Sequence, residues 1–189
     1  MKLLTIAALA VSVMAFTPAG AGDITIRVKA IDVRGVGKDI GWIRAVDTDK
    51  GLRMIPRLSE IGPGAHGFHV HQNPSCGNKG AGGKMGAGLA AGGHFDPGHA
   101  SHHKGPHGEG HLGDMPALVA DANGVARKPV LAPRLKVADL YGRSIMIHAA
   151  GDNYSDSPKK LGGGGGRIAC GVIPARKMKD KMHGHGKKM

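Results

Sequence analysis

Residues 64–71, with the sequence GAHGFHVH, place two histidines one residue apart in a segment of strand-forming composition. Alternate side chains of a β-strand lie on the same face, so His69 and His71 should project side by side while Val70 points into the opposite layer. Neutral imidazole nitrogens bind copper, zinc, nickel and iron. Ten of the twelve histidines fall between His66 and His148, and the sequence therefore predicts a metal site on this strand.

Strand-like segments flank this stretch on both sides. They are short, alternate in polarity and are separated by turns; they cover 24–30, 42–46, 52–58, 116–120, 129–132, 144–148 and 167–173. No helical periodicity as long as ten residues interrupts them. This pattern predicts an all-β fold, a Greek-key β-barrel or immunoglobulin-like sandwich, with two long functional loops.

The first long loop, residues 73–115, is rich in glycine and histidine, and the second, residues 151–166, ends in five consecutive glycines. A loop as long as the first is uncommon in a compact domain unless something holds it in place. Cys76 lies in this loop, and an exported chain with only one other cysteine, Cys170, predicts a disulfide between them. Free thiols or thiolate metal ligands are the alternatives.

The N-terminus predicts export. Residues 1–21 contain one early lysine, an apolar run over 3–16 and an Ala-Gly-Ala cleavage site at 19–21, which together are typical of a cleaved signal peptide. A membrane anchor is the weaker alternative because the apolar run is too short to span a bilayer. We expect an exported protein of the periplasm, with an extracellular location as the alternative, and with one domain over 22–174.

The last segment, residues 175–189, is rich in lysine and contains His183 and His185. We expect a disordered basic tail. The alternative is metal capture, because the thioether sulfurs of its methionines suit Cu(I).

The chain has 26 basic and 14 acidic side chains, a formal net charge of +12. This charge favours polyanions, negatively charged surfaces or a small anionic substrate. Only 3% of the residues are aromatic, and no nucleic-acid-binding motif is present, so we expect no specific nucleic acid partner.

Four residues of the first loop form a possible zinc set: His94, His103, His111 and Asp114. Three imidazoles and one carboxylate close a four-coordinate zinc site with no open position, which is typical of structural zinc. His69, His71 and His148 form an incomplete set for a second metal. A shared His94 would complete both sets, because two divalent cations stabilise an imidazole that has lost both ring protons.

Six motifs, in chain order, resemble the copper,zinc superoxide dismutase family of the exported bacterial type. They are HGFHVH at 66–71, NPSC at 73–76, GGHFDP at 92–97, GHLGD at 110–114, His148 with GDN at 151–153, and residues 162–171 with Arg167 and Cys170. Together they span nearly the whole chain after the signal peptide.

The resemblance implies dismutation of superoxide to dioxygen and hydrogen peroxide, with one copper and one zinc per subunit in a monomer or homodimer without a membrane span. The implied copper ligands are His69, His71, His94 and His148. The implied zinc ligands are His94, His103, His111 and Asp114.

The resemblance also implies roles for residues around the metals. Asp152 is similar to the carboxylate that hydrogen-bonds one ligand of each metal, Arg167 resembles the guanidinium that guides the anion, and His94 would relay a proton. Four lysines of the long loops are candidates for an electrostatic funnel: Lys79, Lys84, Lys159 and Lys160.

The zinc ligands leave alternatives open. His99, His102 and His107 compete with His103, which we prefer because the following Lys-Gly-Pro matches the bacterial pattern. Asp96 is an alternative to Asp114. We expect His66 to form structural hydrogen bonds rather than to bind metal.

Two other functions compete with the enzymatic one. An exported protein that stores or delivers copper and zinc could use the same fold, but it would not need Arg167. A module that binds polyanions or membrane surfaces through its net charge would not need ten histidines in its globular part.

Overall fold

The computed structural model describes residues 22–176, and its regular structure is β-strand with four short 3-10 turns. The strands are β1 (Asp23–Asp32), β2 (Gly35–Thr48), β3 (Gly51–Leu58), β4 (Gly64–His66), β5 (Phe68–His71), β6 (Leu118–Ala120), β7 (Val130–Ala132), β8 (Arg143–His148) and β9 (Arg167–Ile173). The 3-10 turns are Ala81–Gly83, Leu89–Ala91, Val137–Leu140 and Leu161–Gly163. No described helix is both long and apolar enough to cross a bilayer.

Seven strands form one antiparallel sheet in the order β5-β8-β9-β1-β2-β3-β7, and β4 pairs separately with β6. Period-two alternation produces the layers: Ile26 and Val28 of β1 are buried, whereas Arg27 between them is exposed. The inward side chains form one large core that includes Ile43 and Phe68. The prediction of an all-β barrel or sandwich is confirmed.

The predicted single strand over residues 64–71 is wrong in one respect, because the chain changes sheet at Gly67. The Gly67 N–H donates to the Ala150 carbonyl (2.8 Å), and the Gly67 carbonyl accepts the His148 N–H (2.9 Å). The segment before Gly67 therefore pairs with β6, and the segment after it pairs with β8.

The predicted disulfide is confirmed. Cys76 and Cys170 are bonded, with a Cα–Cα distance of 5.7 Å. Both cysteines pack in a second buried cluster with Ile31, Ala91 and Met146. The disulfide thus attaches the first part of the 73–115 loop to β9.

The predicted signal peptide lies outside the described residues, as does the tail beyond residue 176. The described part begins one residue after the predicted cleavage site and includes the whole predicted domain.

Candidate metal centre

Strand pairing brings three histidines together on one side of the sheet. His69 and His71 alternate along β5, which pairs with β8, and His148 is the last residue of β8. The ring centroid of His148 lies 4.9 Å from that of His69 and 5.9 Å from that of His71. All three are buried, while Val70 packs in the core, as the alternation predicted.

His94 reaches this group because its loop continues the sheet locally. The Phe95 N–H donates to the Val70 carbonyl (2.8 Å), and the Gln72 N–H donates to the Gly93 carbonyl (3.1 Å). The His94 ring centroid is 3.9 Å from that of His69. It is also 5.3 Å from the ring centroid of His111, so His94 lies between two groups of side chains.

The second group consists of His103, His111 and Asp114 beside His94. Asp114 Oδ1 lies 2.9 Å from His94 Nδ1 and 3.5 Å from His111 Nδ1. Asp114 Oδ2 lies 2.9 Å from His103 Nδ1, without the alignment of a hydrogen bond. Side-chain atoms that approach one another in this way face a common point.

The atoms without partners test whether metal ions fit these groups. Among the described residues, seven buried side-chain atoms have no hydrogen-bond partner, and all seven belong to the predicted ligands. They are His69 Nδ1, His71 Nε2, His94 Nε2, His148 Nε2, His103 Nδ1, His111 Nδ1 and Asp114 Oδ2. Because unpaired buried polar atoms are costly and rare, this concentration of lone pairs fits two metal ions.

Hydrogen bonds at the opposite ring nitrogen fix which atom faces the centre. His71 Nδ1–H donates to the Gly92 carbonyl (3.0 Å), and His148 Nδ1–H donates to the Gly165 carbonyl (3.2 Å). A carbonyl oxygen only accepts, so Nε2 of each ring keeps its lone pair. Such partners orient the imidazoles of metal sites.

Asp152 links the two groups. Its side chain is fully buried, with Oδ2 2.8 Å from His69 Nε2 and Oδ1 2.7 Å from His103 Nε2. Gly162 covers this carboxylate so closely that a Cβ there would lie 1.9 Å from Asp152 Oδ1. The second long loop therefore passes over Asp152 at a position where only glycine fits.

Distances among possible ligand atoms define two overlapping sets. Those of His69, His71, His94 and His148 all lie within 4.8 Å of one another, as do those of His69, His94, His103 and Asp114. The second set contains His69 in place of His111. His111 Nδ1, which also has no partner, lies beside this second set, 3.5 Å from Asp114 Oδ1.

Burial and neighbouring charges shift the ionisation of these groups. Burial lowers the pKa of His69 to about 3 and that of His148 to about 4, so both rings are neutral at pH 7. Burial also opposes protonation of His103, but the carboxylates of Asp114 and Asp152 outweigh it and raise the His103 pKa to about 9. These pKa shifts leave neutral imidazoles at His69 and His148, whereas His103 lies among the carboxylates of Asp114 and Asp152.

Arg167 begins β9 opposite His148. Its Nη1 donates to the Gly88 carbonyl (2.6 Å) and its Nη2 to the Gly92 carbonyl (2.7 Å). The Gly92 carbonyl also accepts the His71 Nδ1–H, so one oxygen orients both the arginine and a histidine of the first group. The guanidinium is half-buried, and burial lowers its pKa.

A cavity of about 320 Å³ opens beside His148 and is lined by Lys159, Lys160 and the glycine-rich backbone over 163–165. Two of the four predicted funnel lysines therefore lie at this opening. Lys79 and Lys84 are exposed on the first loop and do not line this cavity.

The alternative zinc ligands lie apart from the centre. His99, His102 and His107 are exposed, whereas His103 is 1% exposed. Asp96 instead accepts backbone N–H groups of its own loop, from Ala100 and Ser101. His66 forms the expected structural contacts, with Nδ1 2.8 Å from the His148 carbonyl and Nε2 3.1 Å from the Gly62 carbonyl.

Sequence reasoning missed Arg134, a half-buried arginine in the turn after β7. Its guanidinium donates to four carbonyls of the first loop, those of Gly105 (3.2 Å), Pro106 (3.1 Å), Gly110 (3.1 Å) and His111 (2.6 Å). These contacts hold the loop between His103 and His111. No sequence motif indicates these hydrogen bonds, because their acceptors are backbone carbonyl groups.

Asp156 was also missed. Its carboxylate accepts the His103 N–H (2.8 Å) and the Leu161 N–H (3.0 Å). It therefore joins the two long loops near the second group.

Comparisons with known proteins agree with this geometry. A family described as Copper/zinc superoxide dismutase (SODC) matches residues 40–173. The superoxide dismutase [Cu-Zn] of Brucella abortus is 48% identical over 174 residues, which cover 92% of this chain and 99% of the relative. That of Escherichia coli K12 is 47% identical with the same coverage.

Solved structures give the same result. The Cu/Zn superoxide dismutase from Brucella abortus superimposes with a TM-score of 0.77 at 47% identity, covering 80% of this chain and 99% of that one. The monomeric copper, zinc superoxide dismutase from Salmonella enterica superimposes with a TM-score of 0.72 at 47% identity and the same coverage.

Proposed function

The chain belongs to the copper/zinc superoxide dismutase family, and we propose that it disproportionates superoxide at a copper site that shares His94 with a zinc site. Two superoxide ions and two protons give one dioxygen and one hydrogen peroxide. The observation that carries this proposal is the set of seven buried, unpartnered ligand atoms around one central imidazole.

The proposed ligand atoms are the seven atoms without partners, together with His94 Nδ1, which lies 2.9 Å from Asp114 Oδ1. Copper would be held by His69 through Nδ1 and by three histidines through Nε2: His71, His94 and His148. Zinc would be held by His94 through Nδ1, by His103 and His111 through Nδ1, and by Asp114. When bound, copper would supply one-electron redox chemistry for alternate superoxide ions, and zinc a fixed charge that stabilises an imidazolate at His94.

Arg167 would bind the substrate anion. Its two carbonyl contacts hold the guanidinium next to His71 and His148, and its partial burial strengthens its attraction for a small anion. A protein that only stores copper and zinc has no use for this arrangement. Lys159 and Lys160 would add to the positive field at the opening.

His94 would supply a proton to the reduced product. Its Nε2 is buried and has no partner on the copper side, while its Nδ1 would be bound to zinc on the other. Nε2 is therefore the atom at which this ring would hold a proton and pass it to peroxide. Asp152 keeps His69 and His103 in fixed orientations while this happens.

The proposal includes export to the periplasm after cleavage of residues 1–21. The buried disulfide supports it, because disulfides persist in oxidising compartments. Every proposed site residue comes from one chain, so a monomer or a homodimer would carry the same site.

The direct experiment is metal analysis of the purified mature chain together with a superoxide consumption assay. We expect one copper and one zinc per subunit, with activity that disappears when copper is removed and returns when it is restored. Stoichiometric binding of both metals without superoxide consumption would instead support storage or delivery.

A further inference from the structure

A row of basic side chains crosses the outer face of the sheet, away from the metal centre. In the antiparallel register, Arg27 of β1 lies opposite Trp42 of β2, and Trp42 lies opposite Arg57 of β3. Arg57 Nη1 contacts the Arg127 carbonyl (3.4 Å), on the segment that follows Ala126. We call these four residues, Arg27, Trp42, Arg57 and Arg127, the Arg–Trp row.

The row faces solvent. The arginines are exposed and Trp42 is half-buried, while Val28, Ile43 and Leu58, which follow the first three members, are buried. Arg57, Arg127 and Trp42 line one cavity of about 330 Å³, which also contains one carboxylate, that of Asp39.

The charges of the row are not neutralised. Among the described residues, the acidic partners of arginine are Asp32 for Arg34 and Asp23 for Arg44, and none pairs with Arg27, Arg57 or Arg127. Arg27 and Arg57 lie on either side of Trp42 in the register. Their charges are therefore available to an anionic partner that also contacts the indole ring.

Apolar side chains beside the row indicate which anion fits. The parallel row on the same face contains Asp23, Val46, Arg53 and Leu131 in register. The Asp23 carboxylate pairs with Arg44, and Leu131 is 37% exposed. A soluble polyanion needs cations alone, whereas an anionic lipid surface also takes up an indole ring and aliphatic groups at the headgroup level.

We propose that the Arg–Trp row is a docking surface for anionic phospholipid membranes. Strands β1, β2 and β3, which carry three members of the row, are separated from β8 by β9 in the sheet order, so docking through this row leaves the proposed metal centre free. The inference does not depend on the proposed enzymatic function.

The chain carries its own reporter, because Trp42 is its single tryptophan. The experiment titrates the full chain with vesicles of phosphatidylglycerol and phosphatidylcholine at low salt, and with phosphatidylcholine alone. We expect co-sedimentation with the anionic vesicles, a blue shift of Trp42 emission and quenching by brominated acyl chains. Both signals should weaken near 1 M salt, where the Debye length falls to about 3 Å.

The matched variants change charge equally at two places. The triple variant Arg27→Gln, Arg57→Gln and Arg127→Gln should bind anionic vesicles about a hundredfold more weakly, since each cation near a lipid surface contributes about 1 kcal/mol. The control replaces Lys79, Lys84 and Lys104 by Gln and should bind nearly as well. Dismutase activity of the first variant should be unchanged.

Three outcomes would overturn the proposal. Equal weakening by both variants would mean that net charge alone drives binding. Co-sedimentation without a change in Trp42 emission would assign binding to another part of the chain, such as the basic tail. A Trp42 response to soluble polyphosphate but not to vesicles would assign the row to soluble polyanions.

Discussion

At the residue scale, the centre depends on which ring nitrogen each histidine leaves free. His69 donates from Nε2 to Asp152, whereas His71 and His148 donate from Nδ1 to backbone carbonyls. The free lone pairs, Nδ1 of the first and Nε2 of the others, then converge. Strand alternation predicted that His69 and His71 lie together, and the family resemblance supplied the other members of the sets. The tautomers depend on the carbonyls of Gly92 and Gly165, which a sequence does not place.

Arg167 provides the first prediction at this scale. Arg167→Ala should lower the second-order rate constant for superoxide roughly tenfold or more, because it removes the cation that attracts the anion beside His71 and His148. Arg167→Lys should lose less, since the charge stays while the two carbonyl contacts are altered. Stopped-flow superoxide consumption at constant copper and zinc content measures both.

The exposed Arg53→Ala serves as the control and should leave the rate nearly unchanged. An Arg167→Ala enzyme that keeps both its metals and its full rate would remove the guiding role from this residue.

At the element scale, the first long loop is ordered by contacts at several points rather than by regular secondary structure. The disulfide holds its start, Arg134 holds residues 105–111, and Asp156 joins it to the second loop. The sequence predicted that the disulfide and a metal ion would hold this loop in place. It did not predict Arg134 or Asp156, because both act on backbone groups that only the folded chain brings near.

Arg134→Ala tests the importance of one such tie. The substitution removes four hydrogen bonds to the loop between His103 and His111, so zinc affinity should fall about 10- to 100-fold, the usual effect of losing support for metal ligands. Competition with a chelator measures it, and copper affinity should change less.

Arg134→Lys keeps the charge but not the four-way geometry, and it should recover only part of the zinc affinity. If zinc binds Arg134→Ala as tightly as the unaltered chain, the loop is held adequately without this residue.

Strand boundaries were predicted well where alternation was regular, as in β1 and β3, and less well around β5, the strand that carries His69 and His71. Gly67 there directs the chain from one sheet to the other, because its backbone groups bond to residues 148 and 150. Hydrogen bonds between residues so far apart in the chain do not change the local alternation of polar and apolar residues, so this alternation does not predict them. The proposed zinc ligand His103 was distinguished from its exposed neighbour His102 only by a family pattern, since both are histidines in a segment without periodicity.

At the scale of the whole molecule, the buried ionisable groups make the stability of the metal-free protein depend on pH. The pKa of His148 is lowered to about 4 and that of His69 to about 3, both below the unfolded value of 6.5. Between pH 6.5 and about 4 the unfolded chain therefore binds more protons, and stability falls as pH falls. The pKa of His103 is raised to about 9, so its contribution is complete below pH 6.5 and is lost as pH rises through 9.

The free energy of unfolding of the metal-free protein should accordingly peak near pH 6.5. Lowering the pH to 4 should cost on the order of 3 kcal/mol from His148 alone, and raising the pH through 9 should cost a similar amount from His103. Urea denaturation across pH 4 to 10 after chelation measures this curve. A flat curve would mean that His69 and His148 are not buried as described. A curve that rises steadily with pH would mean that the carboxylates of Asp114 and Asp152 do not hold His103 protonated.

The sharing of His94 by two ions is tested most directly by the electron paramagnetic resonance spectrum of bound Cu(II), recorded before and after selective removal of zinc. In the proposed arrangement, loss of zinc would free Nδ1 of a ring whose Nε2 would bind copper, so we expect the copper spectrum to change and to return when zinc is restored. An identical copper spectrum with and without zinc would show that the two ions have no ligand in common.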